Sequence, residues 1–210
     1  DQKKFEQFFI PDLRANEIVN FFVDEFDRLW IFQKDGNNRC FALRVNERGS
    51  IRLDTLTGYQ HPAGILYATN DGKHTHYLVD ETLALYEFDT SVGKTVLVCD
   101  LKKGLSVGDE ITSLVKFHHD YLIGLKNGGL SLLRKEDESY VFEEIDVPGS
   151  VNCLYKDHFQ DMVWIGTMGS GVYIYSLDMY SIKSTCLSEY TSKISQSVSA
   201  LLVDESNTLW

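Results

Sequence analysis

Val151 to Tyr175 reads VNCLYKDHFQDMVWIGTMGSGVYIY, three short strand-forming runs separated by two turns. VNCLY is apolar and β-prone, KDHFQD is a polar turn, VWIGT a second strand, MGSG a glycine turn and VYIY a third strand. The unit recurs. SVSALLVDESNTLW, Ser197 to Trp210, repeats it as far as the tryptophan, and EIVNFFVDEFDRLWIF, Glu17 to Phe32, repeats it near the other end. The interval from first apolar residue to tryptophan is 12 residues for Ile18 to Trp30, 13 for Val151 to Trp164 and 12 for Val198 to Trp210. Six residues into each stands an aspartate: Asp24, Asp157 and Asp204.

Two weaker copies fill the gap. One opens at Ile65, ILYATNDGKHTHYLVDETLALYEF, with an Asp71-Gly72 turn; the other opens at Ile111, where LIGLKNGGL parallels WIGTMGSGV without its tryptophan. The starts Ile18, Ile65, Ile111, Val151 and Val198 are 47, 46, 40 and 47 residues apart. A period in the forties made of four short strands is the signature of a β-propeller blade. No segment carries the 3.6-residue periodicity that a helical solenoid needs. The expected fold is therefore all-β: a partial β-propeller ring of four-stranded antiparallel blades, part of a seven-bladed whole.

The uniform repeat argues for a single domain over residues 1–210. Residues 1–17, opening DQKKFEQFFI, supply the outer strand of a preceding blade; 18–64, 65–110, 111–150 and 151–197 are blades; 198–210 is a truncated blade. In the first blade IVNFFVD is the inner strand, followed by LWIF, CFALRV and SIRLD. YLVD, LALYEFD and TVLVCDL are strands of the second, and Gly128-Gly129 gives the third its positive-φ turn. A propeller buries its blade faces against neighbouring blades, so a partial ring leaves faces open. The isolated chain is expected to be marginally stable or to associate through them.

Composition sets the outer limits. With 43% hydrophobic and 24% charged residues, three prolines and no low-complexity run, the chain is an ordinary globular one. A net charge of −11 argues against binding nucleic acid or an anionic membrane surface, both of which need a basic face. No apolar run reaches the roughly 18 residues a membrane span requires. The chain opens on Asp1 without a methionine, which fits a processed or trimmed terminus. Cys40, Cys99, Cys153 and Cys186 lack metal-type spacing and lie in or beside apolar strands, as buried thiols would. In an exported chain two of them could instead pair.

Candidate chemistry is sparse. Trp30, Trp164 and Trp210 could stack on sugars, but their fixed place in the repeat points to packing between blades. Asp24, Asp157 and Asp204 could ligate a cation, but at the start of a hairpin turn they are expected to accept from turn amides. No calcium-loop pattern surrounds them. His74 and His76 share one strand face, which permits a metal, though no third ligand is placed; His118 and His119 are expected on opposite faces. The acids around Gly108 to Thr112, GDEIT, could belong to a glycosidase pair, but sequence alone does not place two carboxylates at a working separation. Tyr59, Gln60, His61 and Tyr190 lie outside the repeat pattern, so packing does not explain them and they are candidates to touch a ligand, although ordinary solvated loops also account for them. No catalytic, cofactor-binding or metal-binding residue is assigned, and no cofactor is expected.

DMVWIGTMGSGVYIY and SVSALLVDESNTLW resemble the repeats of two-component regulator propellers. Val151, Asp157, Val163-Trp164-Ile165-Gly166-Thr167 and Gly171-Val172 match that pattern, as do Val198, Asp204 and Leu209-Trp210. Ile18, Asp24 and Leu29-Trp30-Ile31 also match, with Phe32 in place of a glycine; Asp27, Asp161 and Asn207 stand where the family has its turn glycine. The resemblance implies the periplasmic sensor domain of a hybrid two-component histidine kinase and response regulator. It implies an oligosaccharide ligand from polysaccharide breakdown, further blades and downstream sensor modules as partners, and attachment to the inner membrane through a helix beyond these residues. A homodimer is compatible with that family reading, and the segment itself is expected to be non-catalytic. A protein-interaction scaffold and a carbohydrate-active propeller enzyme are the rival readings.

Overall fold

The computed structural model describes residues 14, 18–33, 40–45, 51–53, 62, 64–70, 75–106, 108–157, 159–177, 179–185, 200–202, 204, 206 and 208. They form sixteen strands in four sheets. The first sheet holds β1 (Ile18–Val23), β2 (Arg28–Gln33), β3 (Cys40–Val45) and β4 (Ile51–Leu53). The second holds β5 (Ile65–Asn70), β6 (Thr75–Asp80), β7 (Ala84–Asp89) and β8 (Lys94–Asp100). The third holds β9 (Ile111–Phe117), β10 (Asp120–Leu125), β11 (Leu130–Glu136) and β12 (Ser139–Ile145). The fourth holds β13 (Val151–Lys156), β14 (Met162–Thr167), β15 (Val172–Ser176) and β16 (Met179–Thr185). Each sheet is an antiparallel meander in chain order, the form of a propeller blade. The only helical element among the described residues is a single 3-10 turn, Leu101–Lys103.

The chain divides into two compact units, Asp1–Asp100 and Leu101–Trp210, each with two sheets. In the first, β1 lies beside β5; in the second, β9 lies beside β13. These are the strands that open at Ile18, Ile65, Ile111 and Val151, the start points of the sequence repeat. All four also carry the same irregularity. The pairing register slips between Ile18 and Asn20, between Ile65 and Tyr67, between Ile111 and Ser113, and between Val151 and Cys153. A bulge at the second residue sharpens the local twist of an inner strand where neighbouring strands crowd together. Side chains at these strand starts then link the sheets. Asn20 Nδ2 donates to the Ala68 carbonyl in the first unit, and Thr112 Oγ1 donates to the Val151 carbonyl in the second.

Alternation along the strands decides which residues meet. On β1, Phe22 is buried while Phe21 and Val23 face outward. Phe22 stands opposite Trp30 on β2 and joins Phe32, Ile65, Ala68, Leu78 and Phe88 in a core between the first two sheets. In the second unit, Phe117, Leu122, Leu132, Val151, Val163 and Ile165 fill the equivalent space.

The short third repeat owes two residues to its first hairpin and more to its connection to the next sheet, residues 146–150 against 101–110 for the second. The β9–β10 hairpin is closed by His118 and His119 alone, His118 standing at φ 55°. This corrects the expectation of two histidines on opposite strand faces and shortens the third repeat. Gly128 and Gly129, at φ 105° and 86°, make the expected turn between β10 and β11. Gly124 serves a different end: a Cβ there would stand 2.4 Å from Ser113 Oγ and 2.5 Å from a Val151 methyl, so only hydrogen fits between β9 and β13. The expected strand in residues 1–17 and the Asp71-Gly72 turn lie outside the described residues, apart from Arg14.

Candidate functional site

The repeat aspartate builds the most polar part of the structure. Asp24 follows β1, and its Oδ1 accepts from the backbone N–H groups of Phe26 and Arg28, both at 2.9 Å. Its Oδ2 accepts from Trp30 Nε1 and Arg28 Nε, both at 2.7 Å. One carboxylate therefore closes the hairpin, orients the indole and pairs with a guanidinium, all in the interior. Burial pushes its carboxyl up, but the bonds from Trp30, Arg28 and Phe26 outweigh that and hold it below the ordinary 3.8. Arg28 reaches on to the next sheet, where Nη2 donates to the Thr90 carbonyl at 2.6 Å. Its guanidinium also covers the rings of Phe26 and Trp30, at 4.9 and 5.3 Å. The Trp30 edge meets Phe88 with ring centres 5.0 Å apart.

The same device recurs with weaker closure. Asp157 Oδ1 accepts from Phe159 N and Gln160 N, and Oδ2 from Trp164 Nε1 at 3.3 Å. Asp204 Oδ1 accepts from Ser206 N and Thr208 N, both at 2.9 Å. A further copy was missed by repeat counting because it lies on the β6–β7 hairpin. Asp80 Oδ1 accepts from Thr82 N, Thr82 Oγ1 and Ala84 N, and Oδ2 accepts from the Tyr86 hydroxyl at 3.0 Å. Burial, then the Asp80 carboxylate, pushes that hydroxyl up. The signal was available: Val-Asp-Glu occurs at 23–25, 79–81 and 203–205, each with an aromatic six residues after the aspartate. The shared geometry shows in the backbone too. Asp27 and Leu83, each three residues after its aspartate, adopt φ 56° and 59°.

The turn reading of Asp24, Asp157 and Asp204 therefore holds. The packing reading holds fully for Trp30, which is buried, while Trp164 is half-buried and Trp210 lies outside the described residues. His76 stands inside the first core, stacked on Phe22 at 4.1 Å, and burial pushes its imidazole down to about 4. His74 lies outside the described residues. No group of three potential metal ligands occurs among the described residues. In the GDEIT stretch, Asp109 Oδ2 accepts from Ser106 N, and Glu110 pairs with Lys126 at 2.7 Å on the surface. His118 Nε2 lies 2.7 and 2.8 Å from the two Asp161 oxygens, bridging the first hairpins of the third and fourth sheets in solvent.

Cys99 and Cys153 are half-buried rather than fully enclosed, and burial pushes the Cys153 thiol up. The side chain of Cys40 lies outside the described residues, as do Cys186, Tyr59, Gln60, His61 and Tyr190. No described helix is long and apolar enough to cross a membrane.

Chemically, the interior carboxylates are engaged by turn amides and aromatic donors. Asp24, Asp80 and Asp157 act as clamps that fix hairpins and face aromatic rings toward or along a sheet. The arrangement stabilises the hairpins of the sheets.

The chain matches no protein-family model and no curated protein by sequence. Three of the solved chains that share its fold illustrate the likeness. The first is described as the extracellular domain of a hybrid two-component system, BT3049, from B. thetaiotaomicron: 13% identity, TM-score 0.58, 94% of this chain and 27% of that one. The second, BT4673 of the same organism and described likewise, has 19% identity, TM-score 0.54, and covers 98% of this chain and 32% of that one. The third is PorZ of Porphyromonas gingivalis, a bacterial surface component of the type-IX secretion system: 13% identity, TM-score 0.61, 98% of this chain and 33% of that one. The chain thus spans between about a quarter and a third of the length of these structures.

Proposed function

We propose that this chain is a non-catalytic, extracytoplasmic recognition module of a hybrid two-component receptor that senses oligosaccharides released from polysaccharides. The observation that carries the reading is a fold shared, over nearly all of the chain, with two extracellular domains described as belonging to such systems. The V-W-I-G-T string of Val163 to Thr167, with its Asp157 clamp, supports the same assignment. In this reading the ligand binds the completed propeller and favours one of two placements of propeller and neighbouring module. The differential affinity biases a kinase dimer across the membrane.

Sequencing the gene past both ends of this chain tests the assignment. Further repeats, an apolar span of about 20 residues and a histidine kinase are expected. A stop codon shortly after ring closure, with no membrane span, would remove the signalling partner. A second reading, a protein-interaction scaffold, gains support from the likeness to PorZ, a surface component of a secretion machinery. Finding the gene beside other envelope components and lacking any kinase would move the assignment there.

A further inference from the structure

His76 is not absorbed by the repeat logic. It lies on β6 with no solvent exposure, flat against Phe22 of β1 (18° between planes) and tilted toward Phe88 of β7 at 6.4 Å. Its Nε2 is 3.5 Å from Thr90 Oγ1, whose single hydrogen is directed at Glu25, with oxygens at 3.1 and 3.2 Å. Thr90 can then only accept from the ring, which places the hydrogen on Nε2 and leaves Nδ1 as a bare acceptor. Nδ1 is buried with no hydrogen-bond partner among the described residues. A proton arriving there would create a buried cation with an unsatisfied donor, pressed against a phenyl ring.

The charged groups around it are Asp24, Glu25 and Arg28 from the β1–β2 hairpin and β2, and Asp89 at the end of β7. Phe22 and Phe88, which flank the ring, belong to the apolar core that also holds Ile65 and Ala68 of β5 and Leu78 of β6. Asp24 is already held by Arg28 and Trp30, and Glu25 is partly exposed at Thr90. Glu25 is thus the acid placed to receive a charged ring, and reaching it requires the Phe22 stack to part.

We propose that His76 is a proton-operated release point for the junction between the first two sheets, which opens when the ring is charged and Glu25 draws it out of the core. Burial outweighs the attraction of Glu25, Asp24 and Asp89 and keeps the ring neutral down to about pH 4, against 6.5 for a free imidazole. The folded state therefore binds fewer protons than the open one between these values. The junction is fully closed above pH 6.5, loosens as pH falls toward 4, and gains nothing more below it. The closed-to-open ratio should fall about 300-fold across that window.

Hydrogen exchange on the intact chain, wild type beside His76→Phe at each pH from 7 to 4, tests this. Phenylalanine keeps the stack and removes the titrating nitrogen. Amides of β1 and β5 should exchange progressively faster in wild type relative to the variant as pH falls, while those of β9 and β13 keep a constant ratio. A constant ratio in β1 and β5 as well would overturn the proposal. Should the variant not fold, NMR titration of the six histidines of the wild-type chain decides. One imidazole should titrate well below the others, with a midpoint at about 4; six midpoints clustered near that of free histidine would overturn it.

Discussion

Between the first and second sheets, a buried Asp24–Arg28 pair reaches across to Thr90, beside an imidazole stacked on Phe22. Between the third and fourth, the filling is aliphatic around Phe117, and the His118–Asp161 pair lies in solvent at the rim. One sequence repeat therefore supports two kinds of junction. The apolar one is held by burial, which is favourable in almost any register. The polar one is satisfied in only one arrangement, because displacing Arg28 would strand Asp24 and the Thr90 carbonyl together. Such pairs add little net stability over apolar residues, and we read this one as fixing how the two sheets dock. It also makes that junction the more sensitive to single substitutions and to acid.

The tryptophans test the contrast most strongly. Trp30→Ala should cost about 3–5 kcal/mol, since it empties a fully buried site and strips Asp24 of a donor. Trp164→Ala, at a half-buried site with a 3.3 Å bond to Asp157, should cost about half as much. Urea midpoints of the two variants give the comparison, and equal losses would erase it.

Arg28→Met should cost about 3 kcal/mol by leaving Asp24 buried without its counterion. Adding Asp24→Leu should deepen the loss, because the Phe26 and Arg28 amides and Trp30 Nε1 then lose their acceptor, but by less than the sum of the two single changes. Acid separates the roles further. Asp24 has a depressed carboxyl, so its contribution is complete above the ordinary 3.8 and disappears as pH falls through its lower folded value. Acid unfolding of wild type should thus show an earlier phase from His76 and a later one from Asp24. In Arg28→Met the later phase should move to higher pH.

The apolar junction should answer to shape instead. Gly124→Ala forces Ser113 or Val151 to yield and should cost about 1–3 kcal/mol, with no change in the pH profile. Thermal melts at pH 7 and pH 5 measure both quantities together. The smallest effect belongs to the rim: Asp161→Asn should change stability by no more than about 0.5 kcal/mol, since the pair is solvent-exposed and screened. A loss above 1 kcal/mol would mean that the rim pair carries the junction.

The sequence alone placed the four-stranded repeat and the inner-strand starts at Ile18, Ile65, Ile111 and Val151. These depend on neighbours within a few residues, on alternation and on turn chemistry, all of which are local. It also placed Asp24 and Asp157 correctly as turn acceptors, because an aspartate at a hairpin start finds its amides two to four residues on. The Asp80 clamp was legible in the repeated Val-Asp-Glu and escaped only because it sits on a different hairpin of its blade.

Tertiary structure decided the rest. Nothing near His76 in sequence reveals that Phe22 and Thr90, 54 residues before and 14 after it, enclose the ring. Nor does the shared motif reveal that Trp30 is buried and Trp164 only half so. Those outcomes depend on which face of another sheet arrives against the residue, and burial, desolvation and the loss of a hydrogen-bond partner exist only once it has arrived.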